Sequence, residues 1–412
     1  MFPEHFWKDH RLDEPLKAVP VGSSAYRISD FEFGKYEVVS RIDNYWGKDL
    51  PAMQGLMNEN AMRFDYYRDE TVAFEAFKAG KIDKWNENIS KRWMNDYVFP
   101  AVQDGRVLKL EVPHEIPQGM QGFVFNLERP MFQDVRVRKA LTLLMDFEWM
   151  NKNLFYGQYL RTDSFFTNTE YRATGLPSAA ELEFLNPIKD KIPASVFTEE
   201  FKLPVTKGDG NNRQQLREAL QLFKEAGWAV KDQKLTNVKT GEPFEFELLL
   251  VSKSSEKIAL AYEKSLRRAG IKVNIRTVDS SQYMDRVTNY DYDMISSSYR
   301  AYPYPSALLR QQWHSDNLKS SWNRNAINDP TMDGLMDEVL KYQEEKEADK
   351  LLALGRAIDR VLLHSYYVVP QWHISKFRIA HWDKFGKPEK SPRYALGDGA
   401  WWFDAAKVDA LK

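Results

Sequence analysis

The chain has 412 residues, enough for two or three domains. Its 58 lysines and arginines nearly cancel its 59 aspartates and glutamates, so it lacks the basic excess that nucleic acid or an anionic membrane surface demands. It has no cysteine, which excludes disulfides, thiolate metal sites and thiol nucleophiles, and no apolar run reaches the roughly 18 residues of a membrane span.

Aromatic residues are abundant, with 24 Phe, 20 Tyr and 12 Trp. Most must serve a core, and the remainder suit the wall of a wide ligand cleft, since Tyr and Trp pair an apolar body with a polar tip. At the amino terminus, Met1-Phe2-Pro3-Glu4 shows neither a basic n-region nor an apolar h-region, so no signal peptide is expected in this chain. Tyr26-Arg27-Ile28 and Tyr36-Glu37-Val38-Val39 read as strands, and Val72 to Ala79 as a short helix ended by Gly80. Pro113 and Pro117, around His114-Glu115-Ile116, suggest a segment crossing between domains. Phe123 to Phe125 is a short apolar strand closed by Asn126. After a turn at Arg129-Pro130, Asp134 stands where a helix N-cap belongs, with Val137, Leu141 and Leu144 at helical spacing behind it.

Residues 173–212 are punctuated by Pro177, Pro187, Pro193 and Pro204 and by Gly175, Gly208 and Gly210. They predict an ordered but peripheral excursion, anchored by Phe184, Leu185 and Phe197. A helix over Gln214–Ala226 carries Leu216, Leu220 and Phe223 on one face. Phe244 to Leu248 alternates like a strand. A helix from about Ser255, with Ile258, Tyr262 and Leu266 on one stripe, ends at Gly270, and Ile271 to Ile275 alternates again, completing a strand–helix–strand unit. Asp291 to Ile295 predicts a strand, which Ser296 to Pro305 then leaves as a loop. Asp329-Pro330 opens a helix, and another spans about 348–363. Near the carboxyl end, Trp401-Trp402-Phe403 requires a large partner surface, either a core or a ligand.

Tests for chemistry return little. The seven histidines are scattered without the spacing of a zinc motif, and Lys207-Gly208-Asp209-Gly210 lacks phosphate-loop spacing. No G-x-S-x-G elbow occurs, and nothing in the residues demands an enzyme, a metal or a cofactor. One segment stands out. Tyr299-Arg300-Ala301-Tyr302-Pro303-Tyr304-Pro305 carries one cation among three tyrosines and is stiffened by two prolines. It reads either as a rigid surface loop or as a preformed wall of a binding cleft, in which the arginine forks onto a carboxylate or peptide carbonyls.

Asn126, the Pro130-Met131-Phe132-Gln133-Asp134 turn, Val135-Arg136-Val137-Arg138 and Met145-Asp146 closely resemble a signature of the family 5 extracytoplasmic solute-binding proteins, the peptide-capturing subunits of ABC importers. The resemblance extends through Asn211–Trp228, Ser265–Ile271, Asp291–Met294 and Asn328-Asp329-Pro330. Phe64–Asp69, Val72–Gly80, Asp146–Asn151 and Trp401–Asp404 look like the YejA-type branch, which imports oligopeptides and the peptide–nucleotide antibiotic microcin C. The resemblance implies an α/β, periplasmic binding protein-like type II fold with two lobes, mixed sheets and hinge crossings. The first lobe would take residues 1–115 plus 371–412, without the strand and small domain that precede this point in relatives. The second would take 118–370. It further implies a periplasmic or cell-envelope binding protein rather than an enzyme, which captures an oligopeptide or microcin C-like ligand between its lobes and delivers it to inner-membrane ABC permease subunits. No cofactor, nucleic acid or direct membrane insertion is implied. The expected ligand-binding residues are Phe125, Asn126, Tyr299, Arg300, Tyr302, Tyr304, Trp401 and Trp402. The chain departs from peptide-binding relatives in having no carboxylate in the 299–305 loop to pair a ligand's amino terminus. Haem, a metal chelate or an oligosaccharide are the alternative ligands, and a carbohydrate-active hydrolase the alternative class.

Overall fold

Phe123, Val124 and Phe125 are all fully buried, as consecutive strand residues can be only when both faces of their sheet are covered. In the computed structural model, which describes residues 3–11, 14, 16 and 18–411, they belong to β1 (Met120–Phe125). Met1 and Phe2, part of the stretch read for a signal peptide, lie outside the described residues. The sheet is completed by β2 (Glu245–Leu250), β3 (Lys272–Thr277), β4 (Met294–Tyr299) and β5 (Val368–Pro370), in the order β3-β2-β4-β1-β5. β2 runs parallel to β3 and β4, whereas β1 runs antiparallel to β4 and β5.

Strand alternation sends Phe123, Phe125, Phe246, Leu248 and Met294 to one face and Met120, Val124, Leu249 and Ile295 to the other, giving this sheet two cores. The first core is closed by α1 (Val135–Leu143), α2 (Arg213–Glu225) and α3 (Glu256–Arg268), which contribute Leu141, Phe223 and Leu266. The second is closed by α4 (Pro330–Glu344) and α5 (Ala348–His364), which contribute Met336 and Ile358. The capping residues act as the sequence implies. The Asp134 carboxylate accepts from Arg136 N–H at 2.9 Å, and that of Asp329 accepts from Thr331 N–H at 2.9 Å with Pro330 at the first helical position. Gly270 ends α3 at φ +82°, a conformation that opens directly into β3 and that a side chain would strain.

β4 differs from the sequence expectation. The strand begins at Met294 rather than Asp291 and runs on to Tyr299, so Ser296, Ser297 and Ser298 are strand residues paired with Phe123, Gly122 and Gln121. Three serines carry no apolar signal, and their backbone is held by a partner that lies far away in sequence. Within 173–212, helices at Ala179–Leu185 and Ser195–Thr198 punctuate otherwise irregular chain. Leu185 and Val196 are fully buried in the second core, with Phe184 and Phe197 packed against it. Arg360 of α5 adds a buried ion pair to Glu181 at 2.8 Å and donates to the Gly175 carbonyl at 2.7 Å.

All of these elements fall in one of two compact units, residues 115–375. The other unit takes the chain up to His114 together with residues from Lys376 onward. Its main sheet has Lys376–Trp382 at the centre, between Lys84–Asn86 and Val107–Pro113, with all seven central residues paired to the latter. Asp69 caps the helix Glu70–Lys78, which brings Phe74 and Phe77 against Trp93 and Trp382. A second, three-stranded antiparallel sheet is formed by Tyr26–Glu32, Tyr36–Arg41 and Ala61–Asp65.

Candidate ligand-binding edge

The parallel strands β2 and β4 end at the same edge of the 115–375 unit's sheet, and in open α/β sheets ligands collect outside such carboxyl ends. β4 ends at Tyr299 opposite Met120, and β5 ends at Pro370 opposite Gly122. Gln371 stays on this edge, its N–H donating to the Gln121 carbonyl at 2.8 Å and its side-chain oxygen accepting from the Gln121 amide at 2.9 Å.

The 299–305 loop leaves this edge pinned at both ends. Tyr299 is buried, stacked on Trp313 at 4.3 Å between ring centroids, and its hydroxyl donates to the Asn325 side-chain oxygen. Asn325 in turn donates to the carbonyls of Phe125 at 2.8 Å and Tyr367 at 2.7 Å. Burial pushes the Tyr299 hydroxyl well above its ordinary pKa, so it stays a donor. Beneath the loop lies Gly119. A Cβ there would sit 1.9 Å from the Tyr299 carbonyl oxygen and 2.8 Å from Ala301 N, so only glycine permits the two backbones to pass. At the far end Pro305 is buried over Gly355 of α5, where a Cβ would come within 2.7 Å of the proline ring, and Ser306 caps the helix Ala307–Trp313. Between the pins, Tyr302 rests on the second core, Tyr304 is 48% exposed, and Arg300 is exposed with no partner among the described residues.

The structure therefore brings Arg300, Tyr302 and Tyr304 together on one stiff surface segment and removes other expected contacts from it. Tyr299 anchors the loop through a buried ring. Phe125 and Asn126 depart from the sequence expectation more sharply, because both are fully buried, Phe125 at the opposite end of β1 and Asn126 just past it. At about 3.3 Å per residue that end is on the order of 17–20 Å away. The Asn126 side chain is consumed in holding the turn before β4. It donates to the carbonyls of Tyr290 at 3.0 Å and Tyr292 at 2.8 Å and accepts from Glu128 N–H at 3.0 Å. Trp401 is also corrected: it is 5% exposed and packs against Ile379, Phe385 and Leu396 in a core of the other unit. Its neighbour Trp402 points the other way, 43% exposed, with its indole covering Gly386.

Two residues escaped the sequence reading. Asn325, which holds the Tyr299 hydroxyl, works through contacts to Phe125 and Tyr367, 200 and 42 residues away, which no local pattern announces. Arg161 lies on Leu160–Arg161, paired with Trp372–His373, and its guanidinium nitrogens are buried without a hydrogen-bond partner among the described residues. The guanidinium lies 5.4 Å from the Phe147 ring centroid, and burial pushes its pKa down to about 10. Among the described residues no cluster of three or more His, Asp or Glu could hold a metal ion, and no helix is long and apolar enough to cross a membrane.

The model of bacterial extracellular solute-binding proteins, family 5 (middle), matches residues 2–320. The chain belongs to this family. The family is a substrate-binding, non-catalytic class. The "uncharacterized protein YejA" of Escherichia coli (strain K12) is 44% identical over 411 residues, covering 100% of this chain and 68% of that protein. The "probable peptide-binding protein YejA" of Agrobacterium fabrum is 37% identical over 412 residues, covering 97% of this chain and 67% of that protein. The chain thus spans about two thirds of the length of these curated relatives. Among solved structures, the oligopeptide-binding protein AppA of Bacillus subtilis, in complex with a nonapeptide, aligns with a TM-score of 0.69 at 17% identity, covering 98% of this chain and 72% of that one. That likeness gives the fold: a mixed α/β binding-protein architecture of the family 5 type, as the resemblance implied.

Proposed function

We propose that this chain is the ligand-capturing part of an oligopeptide receptor for an ABC importer, acting in the periplasm or cell envelope and handing its ligand to inner-membrane permease subunits. The observation that carries this reading is the pinned 299–305 loop, which holds an unpartnered Arg300 between tyrosines at the carboxyl edge of the sheet. Peptides offer what such a surface takes. Backbone carbonyls and a terminal carboxylate accept from a guanidinium fork, and side chains lie against Tyr302 and Tyr304. Because the loop is ordered before ligand arrives, little entropy is lost on binding. Support also comes from the 37%-identical relative, itself described as a probable peptide-binding protein. Binding without turnover is part of the proposal.

Calorimetric titration with defined peptides tests it, with a peptide–nucleotide of the microcin C type as a separate arm. Arg300→Ala should weaken peptide binding by about 1.5–3 kcal/mol, roughly 10- to 150-fold, through loss of a charge-assisted hydrogen bond. Unchanged affinity in that variant would remove Arg300 from the site. Absence of binding to every peptide, together with binding to an oligosaccharide or metal chelate, would replace the ligand class.

A further inference from the structure

A cavity in the 115–375 unit lies away from this edge, where residues 199–205 cross α1, the first turns of α2 and the end of α5. It encloses about 330 Å³, at the lower end of the roughly 300–1,000 Å³ typical of small-molecule sites. One wall is His364, the last residue of α5 and 2% exposed. Its Nδ1 lies 2.9 Å from the Ser195 hydroxyl, while Nε2 is buried with no hydrogen-bond partner among the described residues. A buried polar nitrogen left unpaired is costly, and native proteins rarely leave one without a reason.

The cavity lining carries charges of both signs. Lys202 is neutralised by Glu200 at 2.7 Å. Lys139, Glu199 and Glu218 have no ion-pair partner among the described residues. Burial, with the charges of Arg360 and of Lys139 in the same lining, pushes the His364 imidazole down to about 4. The ring is therefore neutral at physiological pH, and in the tautomer whose Nδ1 accepts from the Ser195 hydroxyl, Nε2–H is free to donate. Burial, with the charges of Glu199 and Glu218, raises the pKa of the Tyr366 hydroxyl, which shares the lining.

We infer that this cavity is a separate binding site for a small zwitterion of the α-amino acid class, its carboxylate against Lys139 and His364 Nε2–H and its ammonium against Glu199 and Glu218. A simple carboxylate would gain the first pair and meet two glutamates. A simple amine would gain the glutamates, meet Lys139 and leave Nε2–H unpaired. Only a molecule carrying both charges satisfies both sets of groups.

Imidazole NMR signals of the full chain, titrated with L-alanine, propionate and propylamine at equal millimolar concentrations, test the inference. L-alanine should shift the His364 ring signals saturably, and the two single-charge probes should do so far more weakly. Lys139→Met and Glu218→Gln, both at partly or fully exposed positions that tolerate change, should each weaken the L-alanine response roughly tenfold or more. Equal responses to all three probes, no saturable shift with L-alanine, or an undiminished response in both variants would overturn it.

Discussion

Asp359 and His364 lie five residues apart on α5, and burial displaces them in opposite directions. The Asp359 carboxylate accepts from the Ser164 hydroxyl at 2.7 Å, Phe165 N–H at 2.8 Å and Ala173 N–H at 2.9 Å, yet its burial is complete and pushes its pKa up to about 6. His364 is pushed down to about 4. For Asp359 the folded state binds the proton more tightly than the unfolded chain does. Its contribution is present below its ordinary pKa of 3.8 and is lost as pH rises through about 6. For His364 the contribution is present above 6.5 and is lost as pH falls through about 4. Each amounts to about 3 kcal/mol, and over the shared window they oppose each other. His364→Gln, which can still bond Ser195, should therefore make stability fall more steeply than in the parent as pH rises from about 4 to 6. Asp359→Asn should make it rise more steeply over the same interval. Urea unfolding at a series of pH values measures both slopes, and parallel curves for parent and variants would show that neither group titrates with folding.

At the scale of elements, legibility in the sequence tracks how local the cause is. Asp134 and Asp329 cap their own helices, and the apolar stripes of α2 and α3 repeat within a few residues, so these elements could be read directly. The end of β4 could not, because Ser296–Ser298 are held by β1, some 175 residues earlier in the chain. For the same reason the 299–305 loop was recognisable as unusual while the burial of Tyr299 was not, since Trp313, Asn325 and Gly119 arrive from three separate segments. Asn126 misled because a signature residue was taken for a ligand contact, when its amide is spent on two carbonyls of the turn before β4. The excursion at 173–212 shows the converse: poor in regular structure, it is nevertheless bolted to α5 by Arg360. Arg360→Met strands the Glu181 carboxylate in the core and should cost about 3–5 kcal/mol. Limited proteolysis should then cut first within 173–200, ahead of α1 and α5. If the cleavage order does not change, the ion pair is not what holds the segment.

At the scale of the whole molecule, the two units differ in how they are assembled from the chain. The 115–375 unit draws its five-stranded sheet and both its cores from one continuous segment. Expressed alone, that segment should unfold cooperatively by circular dichroism and show slow hydrogen exchange in β1 and β4. A non-cooperative melt would mean that the flanking segments are needed. The other unit has no such independence, because its central strand, Lys376–Trp382, comes from beyond the end of the first. This connectivity imposes an order in time. Lys84–Asn86 and Val107–Pro113 leave the ribosome with no strand between them, and about 260 residues must follow before their partner appears. At about 5–20 residues per second that interval is on the order of 10–50 s. During it, two open strand edges and the aromatic rings of Phe74, Phe77 and Trp93 lack their cover, the kind of exposed edge that invites pairing with another chain. Residues from Lys376 onward complete a sheet whose other strands lie before His114, so in a nascent chain it is residues 74–113, rather than the 115–375 unit that follows them, that most need the protection of a chaperone.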